Sequence, residues 1–95
     1  MQTRKFALLA RIGTEELDNW VSEGWLVPGQ NDDTRDYSEV DLARAHLIRD
    51  LRDMGVNDEG IPVVLDLVDQ LHGLRRMLRE VVVELRLQHR ERDRT

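Results

Sequence analysis

The sequence has no cysteine, which excludes disulfides, thiol catalysis and cysteine-ligated zinc. Its only aromatic residues are Phe6, Trp20, Trp25 and Tyr37, and its only prolines are Pro28 and Pro62. It has no apolar run near the ~20 residues that span a bilayer. The opening "MQTRKFALLARIG" is basic with a short apolar patch. It lacks the long apolar core and small-residue cleavage site of a secretory signal, so a cytoplasmic protein is expected. No glycine-rich phosphate loop is present, and no Ser–His–Asp order. His46, His72 and His89 show no ligand spacing. Catalytic residues, a metal site and a cofactor are therefore not expected, and neither is an enzyme. One further absence concerns the surface: Gly13 to Thr34 contains no lysine and no arginine.

What is present is unevenly charged. The chain carries a net −5 over 95 residues. Residues 15–59 hold thirteen acids and four arginines, a net of −9, while residues 71–95 hold seven arginines and four acids, a net of +3. An acidic body repels nucleic acid and attracts a basic protein surface. A chain of this length buries only roughly 60–65% of the surface it exposes when unfolded. Such thin cores often gain stability by oligomerising.

Apolar spacing predicts four helices and a small wing. Phe6, Leu9 and Ile12 mark a short first helix within residues 4–12. Gly13 is the turn, and Thr14 is placed to cap the second helix, with Glu15 and Glu16 in its positively polarised first turn. Leu17, Trp20 and Val21 form its inward stripe, and Gly24 ends it. "WLVPG" reads as one extended piece, "QNDDTRD" as a polar turn and "DYS" as the returning piece. Ser38 and Asp41 begin a third helix as a capping box. That helix is expected to turn Val40, Leu42, Ala43, Leu47, Leu51 and Met54 inward and to stop at Gly55. Asp58 or Gly60 opens the last helix, with Pro62 tolerated in its first turn.

Beyond Pro62 the pattern changes. Val64, Leu67, Leu71, Leu74, Leu78, Val81 and Leu85 alternate spacings of three and four, the 3.5-residue period of a coiled-coil seam. A helix over about 61–90 is roughly 45 Å long. A domain of this size has a radius of gyration near 13 Å. Val64 and Leu67 are close enough to the body for it to cover them. Leu71, Leu74, Leu78, Val81 and Leu85 are not, and a second copy of the same helix is the simplest cover. The flanking charges Arg75, Arg79, Glu80, Glu84 and Arg86 allow a parallel or an antiparallel pair. The organisation expected is a globular part over 1–60 and a dimerisation helix over 61–95.

This order of elements resembles the MerR-like DNA-binding domain over about residues 4–70. The residues that carry the resemblance are "I-x-x-E-E-L-x-x-W" from Ile12, Gly24 with the following "WLVP", "R-D-Y-S-x-x-D-L" from Arg35 and "L-R-D-M-G-V" from Leu51. The fold implied is all-α, a winged helix-turn-helix with a two-strand wing and a long C-terminal dimerisation helix. In DNA-binding members basic residues stand where this chain has Glu15 and Asp18, and a pair of tyrosines stands at Asn19 and Trp20. Of the wing signature only Arg35 and Tyr37 survive, and the wing is short of the basic residues that grip the DNA backbone. The chain also resembles the chaperone-modulator, CbpM-like family, through "I-x-x-E-E-L-x-x-x-V" in the second helix and "GIPVVLDLVDQLHGL" in the last. That resemblance implies a dimer that binds the J-domain of a DnaJ- or CbpA-like co-chaperone and inhibits it. J-domains carry a basic helix and a His-Pro-Asp turn that engages a DnaK-type chaperone, and an acidic cover would block that engagement.

The candidate partner-binding residues follow from the outward side of the second helix and from the wing: Glu15, Asp18, Asn19, Ser22, Glu23, Asp32 and Asp33. Trp25 joins them as an apolar anchor if it lies at an exposed edge, its alternative being a place in the core. Specific nucleic-acid binding is not expected of such a surface. The alternative reading, a MerR-like DNA-binding transcriptional regulator, rests on the architecture and the dimeric tail.

Overall fold

The computed structural model describes residues 1–93. In chain order it has α1 (Thr3–Ala10), α2 (Thr14–Ser22), β1 (Gly29–Asn31), β2 (Thr34–Asp36), α3 (Glu39–Asp53) and α4 (Gly60–Asp93). The chain divides into two compact units, Met1–Pro62 and a second that begins at Val63. No helix among the described residues is long and apolar enough to cross a membrane.

The first unit is mostly helical, with α1 packed against both α2 and α3. Its core holds all four aromatic residues together with Leu17, Leu26, Ile48 and Ile61. Phe6 and Tyr37 stack with centroids 4.3 Å apart. This contact ties α1 to the short link between β2 and α3. The inward stripe of α1 is Phe6, Ala7 and Ala10, so Leu9, expected inside, is 47% exposed. Small alanines let the short helix approach its neighbours, and the larger leucine is turned outward.

Three helix ends obey the same rule. After α2, Gly24 takes a φ of +77°. Its N–H bonds the carbonyl of Val21, and that of Trp25 bonds the carbonyl of Trp20. These two bonds satisfy orphan carbonyls of the last turn. Gly55 does the same after α3 at a φ of +93°. Here Gly55 N–H bonds Arg52 and Val56 N–H bonds Leu51. After α1 the left-handed position is held by Arg11, at a φ of 57°, with Ile12 N–H bonded to the carbonyl of Ala7. A side chain in that region costs about 1–2 kcal/mol, and glycine recovers part of it against its greater freedom when unfolded. Arg11→Gly is expected to raise stability by about 0.5–1 kcal/mol in urea melts. A loss of stability would show that the Arg11 side chain contributes more than its backbone costs.

The structure corrects several expected boundaries. Thr14 is the first residue of α2 and makes no cap: Gly13 occupies the N-cap position without a side-chain bond. All but Gly29 of the two strands lies inside the stretch read as a polar turn, with Gly29 paired to Asp36, Gln30 to Arg35 and Asn31 to Thr34. Trp25 and Leu26, expected to be extended, are drawn into the core by the closure of α2. Pro28 has no N–H to offer a ladder, so pairing starts after it. Asp32 makes the tight turn at a φ of 57°, a conformation short polar residues tolerate.

Ser38 and Asp41 form the full capping box at the start of α3. The buried stripe of α3 is Ala45, Ile48 and Leu51, while Val40 and Met54, expected inside, are more than 70% exposed. Ala43 is exposed too, and Leu42 and Leu47 are half-buried. Gly60 opens α4, its N–H bonded to Asn57 Oδ1 at 2.8 Å. A Cβ there would stand 2.9 Å from Val56 Cγ1, so the close approach favours glycine.

In the second unit, the helix from Val63 onward keeps the seam open. Leu67, Leu71, Leu74, Leu78, Val81 and Leu85 are each between 46% and 59% exposed. Leu67, expected to be covered, thus belongs to the exposed seam. The whole of α4 has 34 residues and is about 51 Å long.

Candidate partner-binding face

The surface of α2 follows from its inward stripe. Leu17 and Trp20 are buried and Val21 is half-buried. That leaves Glu15, Asp18, Asn19, Ser22 and Glu23 exposed, as expected. Asp32 and Asp33 are exposed at the wing tip. These residues do not form one uninterrupted patch. Asp18 and Asp33 line a cleft of about 400 Å³ shared with Gln2, Thr3, Arg4, Thr34 and Arg35. Asn19 and Glu23 line a second cleft of about 400 Å³, with Glu16, Trp20, Trp25, Arg52 and Asp58. Glu15, Ser22 and Asp32 line neither.

Two arginines alter the charge of this surface. Arg35, the wing arginine, donates to Asp18 Oδ1 at 2.6 Å and to the Tyr37 hydroxyl at 3.4 Å. Hydrogen bonding to Tyr37 and then to Asp18 raises its already high pKa. Asp18 is therefore a paired acid, not a free one. The pair is half-exposed, and its own contribution is at most about 1 kcal/mol. Its consequence is positional, because it holds the wing against α2 and occupies the one basic group of the wing.

Arg52 has the larger role, and the sequence pattern did not single it out. It donates to Glu16 at 2.6 Å and to Asp58 at 2.7 Å, and these bonds, that to Asp58 first, raise its pKa. Its guanidinium also lies 6.0 Å from the Trp20 ring and 5.8 Å from the Trp25 ring. One side chain of α3 thereby joins α2, the segment after it and the connector before α4. Two other basic residues of α3 are spent on backbone: Arg44 donates to the carbonyl of Trp25 at 2.6 Å, and Arg49 to that of Ala10 at 3.0 Å. The available signal was stoichiometric. Four arginines among thirteen acids over residues 15–59 are few enough for folding to use them all.

Trp25 does not serve as an exposed anchor. It is 5% exposed, and its ring centroid lies 6.4 Å from that of Trp20. Its burial follows from the closure of α2 at Gly24, which turns the chain inward immediately after the helix. Trp20 is 1% exposed, and its Nε1 is buried without a partner among the described residues. Arg52→Met is expected to lower stability by about 1–2 kcal/mol. That figure combines two partly exposed ion pairs with a modest cation–π contribution. Thermal unfolding should fall by roughly 4–8 °C per kcal/mol, with altered tryptophan emission. An unchanged melting temperature would show that Arg52 does not hold these elements together.

The arrangement is that of a helix-turn-helix with a short wing whose outward helix carries acid. No curated protein matches the chain. The family model of the MerR HTH family regulatory proteins matches residues 1–68, which cover all of the helix-turn-helix, the wing, α3 and the first part of α4, and the chain belongs to that family.

Proposed function

We propose that this chain is a protein-binding regulator that acts as a homodimer, covering the J-domain of a DnaJ- or CbpA-like co-chaperone and so inhibiting it. One observation carries the reading. The exposed side of α2 displays Glu15, Asp18, Asn19, Ser22 and Glu23 with no cation, and the wing's only arginine is bound to Asp18. Phosphate contacts from lysine and arginine supply most non-specific DNA affinity. A helix with carboxylates in their place meets each close phosphate with a repulsion of about 1 kcal/mol even in water. The same charge attracts the basic helix of a J-domain and contributes to association rate and selectivity. The identity of the partner rests on the likeness to chaperone modulators in "GIPVVLDLVDQLHGL" and in the second helix.

The second reading, a DNA-binding transcriptional regulator, is favoured by membership of the MerR family. A pair of experiments separates the two. In a low-salt gel-shift screen the protein is expected to give no competitor-resistant, sequence-dependent shift. In a pull-down it is expected to retain a purified J-domain. A specific shift at sub-micromolar protein, with no J-domain retained, would establish the DNA reader instead.

A further inference from the structure

From Leu71 onward α4 sorts its side chains onto three sides. At about 100° per residue, the seam residues Leu71, Leu74, Leu78, Val81 and Leu85 share one side. Arg75, Arg79, Arg86 and Arg90 fall within about 60° of one another on a second side, and Glu80, Glu84 and Glu91 within about 40° on the third. The three sides are centred roughly 120° apart. All seven charged side chains are exposed, and none has an ion-pair partner among the described residues. Their placement opposes the helix that carries them. Arg75 and Arg79, Arg86 and Arg90, and Glu80 and Glu84 are like charges four residues apart, an arrangement that mildly destabilises an isolated helix. The two charged strips also share one spacing. Arg75, Arg79, Val82 and Arg86 run at steps of four, three and four, and so do Glu80, Glu84, Leu87 and Glu91.

We infer that the acidic strip of one copy docks on the basic strip of another, in a contact separate from the apolar seam. With a second helix parallel and shifted by five residues, about 7.5 Å, Arg75 meets Glu80, Arg79 meets Glu84 and Arg86 meets Glu91. With the second helix antiparallel, Arg79 meets Glu91, Arg86 meets Glu84 and Arg90 meets Glu80. In both arrangements Arg79 and Arg86 are matched by Glu84 and Glu91, and the repulsion within each strip is offset by attraction between strips. Arg79 and Arg86 lie about 120° from the centre of the seam, too far round to pair across it. Nucleic acid is a poorer occupant of the basic strip. Single strands gain affinity by stacking bases on aromatic rings, and α4 has none. An anionic bilayer would meet both flanks of the apolar seam, and one flank is acidic. Each docked copy leaves one strip of either sign open, so the contact adds copies without closing at two. The charged residues of the strips belong neither to the seam nor to the face assigned to the J-domain, so the inference fails or holds apart from both readings.

Sedimentation equilibrium of the full chain tests it. Exposed ion pairs are individually weak, so the added association is expected at about 0.5 mM protein, not at tens of micromolar. In about 0.05 M salt the weight-average mass should rise at least ~1.5-fold between about 0.02 and 0.5 mM protein, and in about 0.5 M salt, where screening shortens to a few ångström, it should stay level. An apolar seam does not weaken with salt, which separates the two contacts. Arg79→Glu with Arg86→Glu should abolish the rise, as should Glu84→Arg with Glu91→Arg, each leaving circular dichroism unchanged because the side chains are exposed. An equimolar mixture of these two variants should restore it, since one keeps an intact acidic strip and the other an intact basic one. No rise for wild type, an equal rise at both salt concentrations, or a mixture that behaves as its components overturns the inference. Duplex DNA that binds through Arg79 and Arg86 and suppresses the rise also overturns it, by giving the basic strip a different occupant.

Discussion

Leu78→Asp is expected to turn a dimer into a monomer. At tens of micromolar the wild type should sediment as a dimer and the variant at half that mass. The expectation rests on six apolar side chains at 3.5-residue spacing, Leu67 through Leu85, each about half exposed along one helix. Burying a fully exposed leucine or valine stabilises by roughly 1.5–3 kcal/mol, so the uncovered half of each is worth about 1 kcal/mol. Two such seams facing each other gain on the order of 10 kcal/mol, enough to meet an association cost of about 4–15 kcal/mol. An aspartate at the middle of the seam places an unpaired charge there in both copies. A loss of about 4 kcal/mol raises the dissociation constant on the order of a thousandfold. A wild-type monomer at tens of micromolar would refute the seam as an interface. A dimer indifferent to Leu78→Asp would place the interface elsewhere.

The second large effect concerns the acidic face. Glu15→Lys combined with Glu23→Lys should weaken J-domain binding by at least tenfold, about 1.4 kcal/mol. The structure decides this choice of residues. Asp18 is tied to Arg35, and reversing it would also loosen the wing, mixing a folding effect with a binding effect. Glu15 and Glu23 are exposed and make no ion pair among the described residues, so their reversal tests charge alone. Raising salt from about 0.05 to 0.5 M should slow association with the wild type, because screening shortens to a few ångström. It should have less effect on the reversed protein. If the reversed protein inhibits the co-chaperone as well as wild type does, α2 is not the docking site. The cleft between α2 and the wing then becomes the first alternative.

The order of elements, the helix-stopping glycines Gly24 and Gly55, the capping box at Ser38 and the open seam of α4 were all legible in the sequence. Each is a local property: a left-handed position that glycine occupies without a Cβ clash, a side chain reaching three residues along, or an apolar period. The absence of cations from the outward side of α2 was legible for the same reason, since burial of Leu17 and Trp20 determines which residues remain outside. Pairings between elements were not legible. Trp25 read as a possible anchor because it follows Gly24 at the start of the wing segment, where an exposed edge and the core were both open to it, yet the closure of α2 buries it. The wing strands were placed two or three residues off because a two-residue turn at Asp32 and Asp33 depends on one backbone conformation rather than on hydrophobic alternation. The charge count of the acidic half was readable, but not which acids are free. Asp18, Glu16 and Asp58 are brought to Arg35 and Arg52 from 17, 36 and 6 residues away. Such partners meet only when the elements pack, so tertiary structure alone decided that α2 leaves Glu15 and Glu23 without an ion pair among the described residues.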